Sequence, residues 1–224
     1  WITYADRLME FPTALLGVAL GTVLLPTLAR YHADSNPVEY SALLDWGLRL
    51  AFLLALPAAV ALWMLALPLI ATLYQYGRFT AADAFQTRDA LLGYSVGLLG
   101  LILVKILAPG FFARQMMKTP VKIAFFTVLV ALALAWLLMP RIGHAGLTLA
   151  TSLGACLNAA LLFVALRRHG IYHPRPGWLA FVSRLVVALG VLAALLYFIG
   201  GAPAFWLSAT LAERVIRLGV VCTA

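Results

Sequence analysis

Charge is what this chain has least of. Only 11% of its 224 residues are Asp, Glu, Lys or Arg, and 64% are hydrophobic, far from the usual balance of about half apolar and a quarter charged. A water-soluble core cannot absorb that much apolar surface. Cysteine is also scarce: Cys156 and Cys222 both sit in apolar runs without metal-ligand spacing, which excludes a disulfide framework and a zinc site and leaves two small packing residues. The four histidines, His32, His144, His169 and His173, fall in loops or at span ends. They lack i, i+4 spacing and a nearby carboxylate, so they are read as solvated and no metal is assigned. No GxxxxGK[ST], HExxH or GxSxG motif occurs, which argues against ATP hydrolysis and enzymatic chemistry, and no cofactor is called for. The formal charge of +8 could suggest nucleic acid, but the basic residues lie between apolar spans rather than on one patch.

What is present is a series of long uncharged runs. A stretch of about 18 or more apolar residues can cross a hydrocarbon layer about 30 Å thick at about 1.5 Å per helical residue. Such runs predict helices near 7–29, 50–74, 90–113, 123–140, 145–166 and 185–212, with an incomplete seventh from about 215. They are apolar on every face, which excludes the alternating pattern of a transmembrane strand. The fold class is therefore all-α, a polytopic transmembrane helical bundle. The chain opens on Trp1 with no basic leader and stops inside an apolar run, so it reads as an internal fragment of a longer product.

Basic residues between spans set the orientation. Arg30, Arg49, Arg114, Lys118, Lys122, Arg167, Arg168, Arg175 and Arg184 fall on one side, nine in all; Arg78, Arg88, Arg141, Arg214 and Arg217 fall on the other, five in all. Because basic loops stay cytoplasmic, the first span should begin on the outer side. Pro12, Pro26, Pro57, Pro68 and Pro109 punctuate the spans, as in transporters, where cavities or neighbouring helices satisfy the freed carbonyls. Gly17 with Gly21, and Gly93 with Gly97, have the spacing that lets helices pack closely.

Three charged residues are candidates for binding. Arg7 and Glu10, three apart, share one helical face next to an apolar span. They either face an aqueous cavity, because a charge in lipid costs several kcal/mol, or form an interfacial salt bridge with Arg7 snorkelling outward. In a cavity, the planar, permanently charged Arg7 suits a phosphate or diphosphate, and Glu10 would orient it and temper its grip. Lys105 lies deep in an apolar run. It calls for a cavity or a buried partner, either substrate or a carbonyl freed near Pro109. Asn158, with Thr151, Ser152 and Gly154, gives its span a polar face suited to interhelical hydrogen bonds.

The segments Tyr4-Ala-Asp-Arg-Leu-Met-Glu-Phe-Pro12, Leu16-Gly-Val-Ala-Leu-Gly-Thr-Val-Leu-Leu-Pro26, Asp45-Trp-Gly-Leu-Arg49, Gln75-Tyr-Gly-Arg-Phe-Thr80, Lys105-Ile-Leu-Ala-Pro-Gly-Phe111 and Lys118-Thr-Pro-Val-Lys122 resemble, in order, the MurJ (MviN) family of bacterial lipid II flippases. The resemblance implies a fragment of a fourteen-helix fold of the multidrug/oligosaccharidyl-lipid/polysaccharide exporter type, from the eighth helix into the fourteenth. Residues 1–170 would be most of the second lobe, with five helices, and 171–224 a terminal pair with its last helix truncated and a groove for the lipid tail. It further implies alternating-access transport of an undecaprenyl-diphosphate-linked peptidoglycan precursor across the bacterial inner membrane. The binding residues would be Arg7, Glu10 and Lys105, and the partners membrane lipids and the missing N-terminal lobe, with no nucleic acid. Met116 and Met117 depart from the acidic-aliphatic pair expected there. Export of another polyprenyl-linked oligosaccharide or a small cation, or a non-transporting scaffold, are the alternative readings.

Overall fold

The computed structural model describes residues 1–201 and 203–223; at positions 18, 19, 203, 204, 208, 222 and 223 it describes the backbone alone, so the Cys222 side chain lies outside the described residues. The elements are α1 (Ile2–Ala33), α2 (Pro37–Met64), α3 (Ala66–Tyr74), α4 (Ala81–Leu107), α5 (Pro109–Phe112), α6 (Lys118–Ile142), α7 (His144–Arg168), α8 (Trp178–Gly200), α9 (Pro203–Ser208) and α10 (Leu211–Thr223). Six helices among the described residues are long and apolar enough to cross a membrane: α1, α2, the α4–α5 stretch, α6, α7 and α8. These correspond one for one to the predicted spans.

The helices run past the uncharged stretches because charged turns extend them beyond hydrocarbon. Asn36 caps α2, its Oδ1 accepting from the Glu39 backbone N–H at 3.2 Å, so that α2 begins thirteen residues before its predicted start at 50 and carries Asp45 and Arg49. Thr80 and Asp83 form a reciprocal capping box that starts α4 nine residues before its predicted start at 90. Two predicted spans break where proline withholds a donor. Pro68 cannot bond the Met64 carbonyl, and α2 gives way to α3 at Leu65; Pro109 cannot bond the Lys105 carbonyl, and α4 gives way to α5 at Ala108. The run read as one helix over 185–212 also ends early. Gly201, at φ 73°, terminates α8 at Gly200.

α4 is the most enclosed of the six spans and packs on α1, α2, α3 and α7. Its contact with α7 depends on small residues. A Cβ at Gly93 would fall on the Thr148 hydroxyl, and one at Gly97 would lie 2.5 Å from the Ser152 Cα, so the two backbones approach as the glycine spacing predicts. Gly17 and Gly21 behave otherwise. Gly17 makes room for the Lys105 side chain rather than for a helix, and nothing lies within 4 Å of a Cβ at Gly21. The core between α1, α2, α4 and α7 is built from Leu24, Leu44, Leu98, Ile102 and Leu162, with Tyr40 donating to the Gly110 carbonyl at 2.8 Å. α6 and α8 bury few of their residues, α6 packing on α7 and leaving its other face exposed, as lipid-facing helices do.

Gly97→Val would force α4 and α7 apart against the Ser152 backbone, which cannot yield as a flexible side chain would. The variant should lose about 1–3 kcal/mol or more of stability, read as a lowered thermal unfolding midpoint in detergent, whereas an unchanged midpoint would show that the helices do not meet there.

Candidate functional site

The three sequence-predicted site residues converge on α1. Arg7 Nη1 and the Glu10 carboxylate lie 3.2 Å apart, and both side chains are open, at 71% and 59% exposure. They belong to the face of α1 that no other helix of the chain covers, with Asp6, Phe11, Ala14 and Leu15. The buried face, with Ala5, Met9, Leu20, Leu24 and Leu28, turns into the bundle.

Lys105 reaches α1 from α4. Its ammonium donates to the Thr13 carbonyl at 3.0 Å, and its stem lies across Gly17 where any side chain would collide with it. The acceptor is thus a carbonyl within α1, one residue after Pro12, and not one freed near Pro109. Gly17 is seven residues from Glu10, so both lie on one stripe of α1 and the lysine stem crosses that stripe about 10 Å inward of the glutamate. The Thr13 hydroxyl hydrogen-bonds the Met9 and Glu10 carbonyls, at 3.1 and 2.9 Å, in the turn that Pro12 interrupts. The arrangement sets two cations and one carboxylate along one helix face.

The outer end of α1 is held by aromatic contacts. Trp1 Nε1 donates to Asp83 at 2.7 Å, and Tyr4 packs on Tyr74 and Phe79 with centroids 4.8 and 5.4 Å away. His144 is not simply solvated: Nε2 lies 2.8 Å from the Gln86 carbonyl, and its ring sits 5.5 Å from that of Trp1. His169 likewise meets the Phe111 ring, at 6.2 Å. Among the described residues no group of His, Cys, Asp and Glu could hold a metal ion.

A second polar centre, missed by the sequence reading, lies at the opposite membrane end. Asp45, its side chain 3% exposed, accepts from Tyr172 Oη at 2.7 Å, Trp178 Nε1 at 2.8 Å and the Arg175 backbone N–H at 3.2 Å, and pairs with Arg49 at 2.8 Å. Arg49 also donates to the Pro176 carbonyl at 3.1 Å and covers the Trp178 ring at 5.3 Å. The Ser41 hydroxyl donates to the His173 carbonyl at 3.1 Å and accepts from its N–H at 2.9 Å. Residues 172–178 are thereby fixed to α2. The signal available was the i, i+4 spacing of Asp45 and Arg49, but its partners lie more than a hundred residues away. Burial pushes the Tyr172 phenol well above its ordinary value of 10, reinforced by the Asp45 carboxylate that it donates to.

Asn158 disappoints its expected role: its Oδ1 is buried without a hydrogen-bond partner among the described residues. The interhelical hydrogen bond expected of that polar face comes from Ser152 Oγ on the Tyr94 carbonyl, at 3.4 Å, joined by the Cys156 thiol on that of Val96, at 3.7 Å, in keeping with Cys156 as a packing residue.

Asp45→Ala would orphan the donors of Tyr172, Trp178 and Arg175 and should cost about 3 kcal/mol, seen as a lower unfolding midpoint. For Tyr172 the sign is that of a raised pKa: its contribution is complete below pH 10 and is lost as pH rises through the elevated folded value. Tyr172→Phe should remove that part of the alkaline loss of stability, and an identical pH profile would disconnect Tyr172 from the network.

Known proteins resemble this chain over most of its length. A family model described as lipid II flippase MurJ matches residues 1–215. A lipid II flippase MurJ from Burkholderia cenocepacia is 59% identical over 197 residues, covering 88% of this chain and 38% of that protein. A probable lipid II flippase MurJ from Vibrio cholerae is 39% identical over 218 residues, covering 97% of this chain and 42% of that protein. The chain thus spans about two fifths of the length of these relatives. A solved lipid II flippase MurJ, in an inward closed conformation, shares the fold with a TM-score of 0.75 at 20% identity, over 98% of this chain and 44% of that one.

Proposed function

Because this chain belongs to the lipid II flippase MurJ family, we propose that it supplies the C-terminal part of a transporter that moves a lipid-linked peptidoglycan precursor across the bacterial inner membrane by alternating access. Residues 1–170 are most of one transmembrane lobe, and 171–224 belong to a terminal helix pair. The partner is an N-terminal lobe that closes on the open face of α1. The undecaprenyl-diphosphate carrier is the substrate, and its translocation breaks no covalent bond.

One observation carries the reading. The Arg7 guanidinium, paired with Glu10 at 3.2 Å, stands on a face of a membrane helix that the chain's own helices leave bare. Such a pair facing hydrocarbon would cost several kcal/mol, so that face belongs to an aqueous space or another lobe. The guanidinium fork fits a diphosphate, and Glu10 limits its hold on the anion so that release remains possible. Lys105 adds a positive charge along the same stripe of α1, its ammonium on the Thr13 carbonyl and the end of its stem across Gly17. Binding of the headgroup would draw the N-terminal lobe onto α1, and the apolar tail would stay in lipid. The heavier basic share on one side, nine residues against five, supports placing the N-terminal end of α1, with Arg7 and Glu10, toward the outer side.

In the intact protein, Arg7→Gln at normal expression should abolish export of the precursor, measured by its appearance in the outer leaflet. Unimpaired export would remove Arg7 from the binding site. Lys105→Met should slow export several-fold while Lys105→Arg, which keeps the charge, retains most of it. Equal loss in both variants would reduce Lys105 to a spacer between α4 and α1.

A further inference from the structure

An apolar groove of about 520 Å³ lies between α2, α4 and α7, away from the α1 face. Its walls run from Leu99 to Leu107 on α4 and from Cys156 to Val164 on α7, and the segment from Tyr172 to Trp178 closes one end. That end is a built structure: Tyr172 and Trp178 both donate to the buried Asp45 carboxylate, which holds them in place as a wall. The volume falls in the usual range for small-ligand sites.

Charge marks the closed end. Ala160 and Val164 line the groove, and Arg168 follows on the same helical stripe at i+4 from Val164, with Arg167 at i+3. Arg175 adjoins Pro174, another lining residue. All three arginines are exposed, and among the described residues none forms an ion pair. The nearby acidic group, Asp45, is already taken by Arg49 and three other donors. That end is therefore cationic, and it stands on the side predicted to be cytoplasmic.

Length decides the occupant. Eight residues along α4, and eight along α7, give the groove a run of about 12 Å, close to one leaflet's share, about 15 Å, of a hydrocarbon core about 30 Å thick. A tail of many isoprene units outruns it, whereas one acyl chain fits. We propose that this groove seats an acyl chain of an anionic phospholipid of the inner leaflet, with its phosphate held at Arg167, Arg168 and Arg175. The floor of small side chains, Gly100 and Ala160 among them, gives the chain its depth, and the Trp178 ring, under the Arg49 guanidinium, walls the end nearest the headgroup. The site stands apart from the α1 face, so it does not depend on the transport reading.

Binding of single lipids to the intact protein in detergent, followed by native mass spectrometry, tests this without reading export. Phosphatidylglycerol should bind at least five-fold more tightly than phosphatidylcholine, and undecaprenyl phosphate should not displace it. Ala160→Phe, which fills the groove from its exposed side, should weaken phosphatidylglycerol at least five-fold. Joint replacement of Arg167, Arg168 and Arg175 by Gln should remove the preference over phosphatidylcholine. Equal binding of the two phospholipids, displacement by undecaprenyl phosphate, or full binding by Ala160→Phe would each overturn the proposal. A readout that needs no groove substitution comes from Cys156, a lining residue: in the Cys222→Ala protein in phosphatidylcholine nanodiscs, its labelling by N-pyrenylmaleimide should slow several-fold when phosphatidylglycerol is included. An unchanged rate would also overturn it.

Discussion

A charge inside a hydrocarbon layer must find water, an opposite charge or a backbone dipole, and Asp45, Lys105 and Arg7 meet that demand in three different ways. Asp45 is buried and answered entirely by protein, with Arg49, Tyr172, Trp178 and a backbone N–H around one carboxylate. Lys105 is answered by a carbonyl on the neighbouring helix. Arg7 is answered only by Glu10, on a surface that remains open. The gradient from saturated to unsaturated is what separates a structural charge from one available to a ligand, and it singles out the α1 face from its surroundings.

Close packing makes that arrangement possible. Glycine at 93 and 97 sets α4 against α7 at backbone contact, which in turn fixes the origin from which Lys105 reaches outward. Glycine at 17 then admits the lysine stem, so that two glycines of the same apparent pattern, 17 and 97, serve opposite ends: one receives a charged chain and the other a helix. Proline acts in the same economical way. Pro12 withholds one hydrogen bond inside α1 without ending it, whereas Pro68 and Pro109 stand in the first turns of α3 and α5, just past the interruptions at Leu65 and Ala108.

Much of the fold was legible because hydrophobic length is a direct physical requirement of crossing a bilayer, and all six predicted spans correspond to helices. Their ends were not, because helix caps such as Asn36 and Thr80 act outside hydrocarbon, where absence of charge no longer marks the helix. The glycine pair at 200 and 201 was hidden in an unbroken apolar run. Of the candidate site, the Arg7–Glu10 pair was readable from spacing alone, since three residues of separation bring side chains together on any helix. Lys105 stood out as an anomaly, but its acceptor, 92 residues away on α1, depends on tertiary packing. The Asp45 centre was illegible for the same reason. Aspartate four residues before arginine is an ordinary helical pair until Tyr172 and Trp178 arrive from the far side of the molecule.

The way residues 172–178 are clasped to α2 has a mechanical corollary. A connector tied by a carboxylate, an arginine and a serine has no slack, so α8 cannot slide against the N-terminal half of α2 unless several hydrogen bonds rupture together. Tilting of α2 would instead swing α8 as a rigid arm.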